Sequence, residues 1–238
     1  MASLLTKIKN VYSNQGVLGI LKSGFDYTLN RLFVSATGTP KRKIGVYNGV
    51  PVRNLRLSDR EDIRQDYEAA LLRAIYDSVQ SGHRVVVIGG GLGVSTVTAA
   101  QEAGVDGSVN SFEGSQLRAN IVEETVSMSG VGERVTVRHA IVGEEVNVFL
   151  ESGESERVPP ENIPECDVLV SDCEGAELGI LEEIEIRPES IVVETHGIQG
   201  SPTDDVESVL KDRGYRIENR EPENEAKDVF VLTASLKQ

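Results

Sequence analysis

Four apolar residues, Val85-Val86-Val87-Ile88, run directly into glycines at 89, 90, 91 and 93. A short unbroken apolar run of this kind is a strand buried on both faces. The glycines after it remove side chains where a ligand would otherwise be obstructed. A helix that starts in such a loop points its first backbone amides at a carboxylate or a pyrophosphate. Spacing alone leaves the ligand open, and a tight strand-to-helix turn would use the same glycines. The dinucleotide fingerprint needs a third glycine after Gly89 and Gly91 at a position that here is Val94.

Downstream, strand and helix patterns alternate. Strands are expected at Arg84 to Ile88, Ser108 to Glu113, Val135 to His139, Asp167 to Asp172 and Ser190 to Thr195. Between them helices are expected at Ser95 to Glu102, Leu117 to Met128, Glu174 to Ile184 and, after the fifth strand, Asp204 to Arg213. This alternation predicts a parallel sheet covered by helices, with ligands at the strands' carboxyl ends. Tyr215 to Asn219 and Asp228 to Thr233 also read as strands, but the stretch between them is too short for a parallel crossover. They are expected to pair antiparallel. The fold class is therefore α/β and Rossmann-like, a mostly parallel seven-stranded sheet closed by an antiparallel hairpin.

Ahead of this body, residues 1–57 form a separate segment, and residues 58–238 the ligand-binding domain. Apolar residues between Leu4 and Phe33 recur at helical spacing, predicting two short amphipathic helices. Asn48-Gly49 lies between two strand-like runs, Ile44 to Tyr47 and Val50 to Leu57, and suits a tight hairpin. Ser58-Asp59-Arg60-Glu61 reads as a capping box for a helix bearing Ile63, Tyr67, Ala70, Leu71, Ala74, Ile75 and Val79. The stretch Glu151 to Pro164, rich in Glu, Ser and Pro, reads as a solvated connection.

The charge narrows the partners. A formal net charge of −14 opposes a phosphate-tracking surface, so nucleic acid is not an expected substrate. Arg outnumbers Lys, aromatics are few and Trp is absent, a composition like that of proteins from salt-loving organisms. Residues 1–50 run the other way, with Lys7, Lys9, Lys22, Arg31, Lys41, Arg42 and Lys43 against Asp26 alone. This basic appendage could pack on the domain or touch an anionic membrane surface peripherally. No apolar run is long enough to span a bilayer and no signal peptide is evident, so a cytoplasmic location is expected. Cys166 and Cys173 bracket one strand, too far apart for a disulfide.

Polar residues gather at the strand ends. Glu113 closes the second strand, where a carboxylate can accept both ribose hydroxyls of an adenosine. Alternatively, Glu113 caps the helix opening near Gln116. The fourth strand ends in Ser171-Asp172-Cys173-Glu174-Gly175-Ala176-Glu177, and the fifth in Glu194-Thr195-His196-Gly197. Asp172, Glu174, Glu194 and His196 are the candidate catalytic groups, His196 being the natural base at neutral pH. Asp172, Glu194 and His196 are ligand-type residues, but their spacing matches no metal motif and no metal is expected.

Here the sequence resembles the FkbM family of S-adenosylmethionine-dependent methyltransferases. Its Asp-x-Glu-Gly-Ala-Glu signature is matched by Asp172 to Glu177, and the resemblance runs from about Tyr67 to Leu232. Agreement extends to the Gly-x-Gly-x-Gly spacing, Ser111-Phe112-Glu113, Ala140-Ile141-Val142-Gly143, Glu194-Thr195-His196-Gly197 and Gly214-Tyr215. Two positions depart from the pattern. The acidic residue usual two before the first loop glycine is Val87, and the Lys usual two before the signature Asp is Val170.

The resemblance implies S-adenosylmethionine as cofactor, held by Gly89, Gly90, Gly91, Gly93, Glu113, Ala140 and Asp172. It also implies methyl transfer to oxygen on a small polar acceptor, a sugar hydroxyl or a uronic-acid carboxylate in glycan or lipid-linked glycan assembly. Two other readings stand beside it: an NAD-dependent oxidoreductase, from the glycine loop and Glu113, and a non-catalytic cofactor-binding module, from the two valines.

Overall fold

The computed structural model of the chain describes residues 42–55, 62–143 and 155–237. The amphipathic helices expected between Leu4 and Phe33, and the Ser58 to Glu61 capping box, lie outside the described residues. By compactness the chain divides into Met1–Gly45 with Arg53–Asp62, and Val46–Val52 with Ile63–Gln238. In the first unit, Lys43 pairs with Asp62 among the described residues. The second unit carries the sheet and every site residue discussed below.

Strands β1 (Lys43–Tyr47) and β2 (Val50–Leu55) are adjacent and joined through Asn48-Gly49, as the turn chemistry predicts. Both turn residues have positive φ, 46° and 84°. A third strand, β3 (Ile63–Arg64), pairs parallel with β1 through Val46 and Ile63. This corrects the helix expected from Ile63 onward. The backbone there is taken by the ladder, and Asn48 Nδ2 donates to the Tyr67 carbonyl. Glu68 then turns left-handed at φ 50°, so helix α1 begins only at Ala69 and runs Ala69–Ser78.

The main sheet contains β4 (Arg84–Ile88), β5 (Ser108–Glu113), β6 (Val135–Val142), β7 (Glu156–Val158), β8 (Val168–Ser171), β9 (Ser190–His196), β10 (Tyr215–Asn224) and β11 (Val229–Leu236). Their order is β10-β11-β9-β8-β4-β5-β6-β7. Strands β4 to β9 pair in parallel, while β11 lies antiparallel between β9 and β10, as the short connection requires. Seven of the eight strands are the expected ones. The eighth, β7, falls in the stretch read as a solvated connection, where Val158, Pro160 and Ile163 are buried. Val158 is the one buried side chain of that short strand, and Pro160 and Ile163 bury the turn that follows it, apolar anchors that the surrounding Glu and Pro conceal.

Helices α2 (Val94–Ala103), α3 (Gln116–Met128), α4 (Glu177–Glu183) and α5 (Thr203–Asp212) follow the parallel strands in turn. Helix α2 packs against α1 and α3, and α4 packs against α5. The central strands are apolar throughout because helices leave them no wet face: Val85 to Ile88, Val168 to Val170 and Ile191 to Val193 are all buried. Leu169, Ile180, Leu181, Ile191, Leu210, Tyr215 and Leu232 are among the largest fully buried side chains of the core. Each such side chain contributes roughly 1.5–3 kcal/mol by leaving water. The buried Tyr215 hydroxyl donates to the Pro188 carbonyl at 2.9 Å, so no polar group is stranded there.

Register brings the strand ends level. Ile88 lies opposite both Phe112 and Ser171, and Ser171 opposite Val193. The next residue of each strand, Gly89, Glu113, Asp172 and Glu194, therefore reaches the same edge of the sheet.

Candidate functional site

The glycine loop is shaped largely by packing. A Cβ on Gly89 would sit 1.7 Å from the Asp172 carbonyl oxygen, and one on Gly90 would sit 2.8 Å from Ser111 Oγ. Gly93 backs onto Thr125 at 3.0 Å. Only Gly91, at φ 56°, has room, with Arg118 Nη1 3.8 Å from the position of a Cβ. Close approach of the neighbouring strands and of helix α3 explains three of the four glycines, and only Gly91 has room for a side chain.

Glu113 sits beside this loop, 7% exposed. Its Oε2 accepts from the Gly91 amide and its Oε1 from the Ser115 amide, both at 2.8 Å. Helix α3 is capped by Ser115, whose Oγ accepts from the Arg118 amide at 3.5 Å, so Glu113 is not its cap. Burial raises the Glu113 carboxyl above its ordinary pKa, against the pull of the two amides. Each oxygen still has acceptor capacity beyond its one amide. Ala140 lies inside β6, buried and paired with Glu156, because that strand continues to Val142.

Four predicted catalytic groups do come together. His196 Nε2 stands 3.6 Å from Asp172 Oδ1, 3.7 Å from Glu174 Oε2 and 3.5 Å from Glu194 Oε1. The ring's other nitrogen, Nδ1, is 2.9 Å from Glu177 Oε1. Glu177 is fully buried and also accepts from the Cys173 amide at 2.8 Å and the Gly175 amide at 3.0 Å. Burial alone would raise its pKa, but the hydrogen bond and charge of His196 and the Gly175 amide outweigh burial and hold it low. A carboxylate that only accepts makes Nδ1 the donor. Burial pulls the His196 pKa down, yet Glu177, Asp172 and Glu174 together leave it raised.

The turn that builds this cluster is unusual backbone. Glu174 and Gly175 are left-handed at φ 56° and 110°, which delays α4 to Glu177 instead of the expected Glu174. Gly175 is needed because the Gln199 carbonyl would lie 2.4 Å from a Cβ. Glu174 thus caps no helix: its Oε2 accepts from Gln199 Nε2 at 3.1 Å.

Sequence reasoning missed Glu177 as a working residue, although it closes the signature. It also missed Tyr67, Glu68 and Glu223. Burial, then the charge of Glu68, pushes Asp172 well above the carboxylate range, and burial with Asp172 and Glu68 pushes Glu194 up to about 10. Glu68 itself is pushed up to about 7 by burial, with Glu223 adding to it. Glu223 Oε2 accepts from the Ala70 amide at 2.7 Å, fastening β10 to the start of α1. Nothing local in sequence marks 68 or 223, since they arrive from outside the parallel strands. The two cysteines, Cys166 and Cys173, are free thiols.

The family model of the methyltransferase FkbM domain matches residues 74–217, well over half the chain. The chain belongs to the FkbM methyltransferase family. It is an S-adenosylmethionine-dependent methyltransferase, and the NAD-dependent reading falls with this match. Its cofactor fits what the site offers: a buried carboxylate with acceptor capacity to spare at the second strand end, beside the one loop glycine with room around its Cβ position.

Solved structures share the fold. A ribosomal protein L11 methylase from Lactobacillus delbrueckii subsp. bulgaricus has TM-score 0.53 at 11% identity, covering 78% of this chain and 91% of that one. The Pyrococcus horikoshii protein PH0793 has TM-score 0.54 at 12% identity, covering 91% and 85%. An O-methyltransferase from Bacillus cereus in complex with SAH is similar at TM-score 0.46 and 16% identity, covering 74% and 84%. No curated protein matches the chain.

Proposed function

We propose that this FkbM-family enzyme methylates a hydroxyl of a small, neutral, glycan-type acceptor. The observation that carries the reading is the wall of carboxylates, Asp172, Glu174 and Glu194, gathered around His196 at the sheet's carboxyl edge. Carboxyl oxygens accept hydrogen bonds from hydroxyls, and an anionic acceptor would add one more acidic group to a cluster already crowded with them, so of a sugar hydroxyl and a uronic-acid carboxylate the hydroxyl suits this wall.

With S-adenosylmethionine bound, Glu113 would accept from the ribose hydroxyls with its remaining acceptor capacity, and the Gly89 to Gly93 backbone, Ala140 and Asp172 would hold the rest of the cofactor. S-adenosylmethionine brings a methyl already activated on a sulfonium. The residues supply alignment, holding the acceptor oxygen in line behind that methyl. As the new C–O bond forms the C–S bond breaks, its electron pair goes to sulfur, and the hydroxyl proton is lost into the cluster around His196.

The acidic body favours a small acceptor over nucleic acid. The basic charge of residues 1–50 supports a cytoplasmic protein that touches the membrane where lipid-linked glycans sit. Among the described residues no helix is long and apolar enough to cross a membrane.

The test supplies the purified chain with methyl-labelled S-adenosylmethionine and matched neutral and uronic-acid glycans. Label is expected on the neutral sugars, stable to mild base as an ether. Base-labile label on the uronic acids alone would overturn the hydroxyl assignment. Tight cofactor binding by calorimetry with no transfer to any glycan would favour a non-catalytic module.

A further inference from the structure

His196 is held as a metal-bound histidine is held. Its Nδ1 donates to the buried Glu177 carboxylate at 2.9 Å, which fixes both ring orientation and tautomer and turns Nε2 outward. Nε2 then meets three carboxylate oxygens, from β9, from the end of β8 and from the turn before α4, at 3.5, 3.6 and 3.7 Å. These distances are long for hydrogen bonds. Two ligands of one tetrahedral ion, each bonded at about 2.0–2.2 Å, stand roughly 3.3–3.6 Å apart, a spacing that the Glu194 and Asp172 oxygens match and the Glu174 oxygen exceeds. Two oxygens there are also buried without any hydrogen-bond partner: Asp172 Oδ1, and Oε2 of Glu194, a residue only 7% exposed. A buried carboxylate oxygen left so is costly.

We infer that Asp172, Glu194 and His196 Nε2 form a site for one divalent cation of the Mn2+ or Zn2+ type, with Glu174, whose Oε2 already accepts from Gln199, beside it. Ligand atoms of Asp172, Glu177 and His196 lie within 4.8 Å of one another. Glu177 is nevertheless the orienting group and not a ligand, because its oxygens are already engaged by His196 and by the Cys173 and Gly175 amides. One imidazole with two or three carboxylates suits Mn2+, Fe2+ or Zn2+ better than a soft metal. Four carboxylates around a single imidazole also leave an excess of negative charge that a dication neutralises.

The ion's role rests on the acceptor reading above: it holds the acceptor oxygen and lowers the cost of removing its proton. This assigns Nε2 to the cation instead of to the acceptor proton.

The test begins with Mn2+ titrated into the full chain after chelator treatment, without cofactor or acceptor. Uptake is followed by calorimetry and by loss of the free-ion paramagnetic resonance signal. One ion per chain is expected, with affinity lowered about 10–100-fold in Glu194→Gln, Asp172→Asn and the orienting variant Glu177→Gln. Glu133→Gln, on an exposed residue before β6, should bind as the parent does. Should a variant fail to fold by circular dichroism, Co2+ on the parent chain decides. The chain has three histidines, and a single imidazole N–H resonance should be shifted paramagnetically. No uptake of either ion at millimolar concentration, or uptake indifferent to the variants with no shifted imidazole proton, would overturn the site. Ion uptake without transfer to a hydroxyl leaves the site standing and removes the acceptor reading; transfer without ion uptake does the reverse.

Discussion

Gly89 and Gly91 lie two residues apart in one loop and answer to different demands. At Gly89 any side chain meets the Asp172 carbonyl at 1.7 Å, so the glycine belongs to the junction of β4 and β8. Gly89→Ala must push two central strands apart, at a cost of roughly 3 kcal/mol, the upper end of what overpacking a core usually takes. At Gly91 the nearest neighbour is 3.8 Å away, and Ala there bears only the strain of φ 56°, about 1–2 kcal/mol. The expected outcome is a Gly91→Ala chain that folds but binds S-adenosylmethionine weakly, and a Gly89→Ala chain that unfolds in far less urea. Parental cofactor affinity in Gly91→Ala, measured by calorimetry, would show that the cofactor does not lie along this residue. Glu113, Asp172, Glu194 and His196 were legible as candidate site residues because one rule, polarity at a parallel strand's carboxyl end, covers them all. Glu68 and Glu223 follow no such rule.

Strands β4 and β8 explain the two departures from the family pattern. Val87 and Val170 are register partners on these adjacent parallel strands, both 1% exposed. The acidic residue and the Lys usual at these positions would therefore face each other, and the chain has replaced both members with apolar side chains of equal size. Exchanging a buried ion pair for packed hydrophobics is often neutral or stabilising, whereas leaving one charge alone is not. Val87→Glu or Val170→Lys singly should each cost about 3–5 kcal/mol. The double variant should recover at least about 1 kcal/mol of their sum, a coupling that urea denaturation of all four chains resolves. Strict additivity would mean that the two side chains do not meet.

The pairing was invisible in the sequence, which shows the two valines 83 positions apart as unrelated losses. Elements whose apolar residues keep one period over a whole strand or helix were legible to within a few residues. Those that differ do so for local reasons. In β10 the polar stretch Arg220 to Asn224 stays in the ladder because an edge strand tolerates a wet face. At α1 the pairing of β3 claims residues that carry helical spacing.

At the scale of the whole molecule, charge sets the response to salt. The formal net charge is −14, so the folded chain repels itself. Surface ion pairs such as Arg138–Glu156 and Arg220–Asp204 work the other way. Both effects are screened as salt is added, but exposed pairs contribute little individually, while the net repulsion acts over the whole surface. Added KCl should therefore raise the melting temperature. Screening alone has little left to give by about 1 M, where the Debye length is near 3 Å. A protein that only suffers self-repulsion should reach a plateau there. One whose acidic, Lys-poor surface is built for concentrated brine should continue to gain stability to roughly 3 M KCl, beyond the reach of screening. Calorimetric melting curves across that range separate the two, and a plateau near 1 M would show that the acidity serves solubility at ordinary salt. A melting temperature that falls from the first addition of salt would mean that the ion pairs outweigh the net charge.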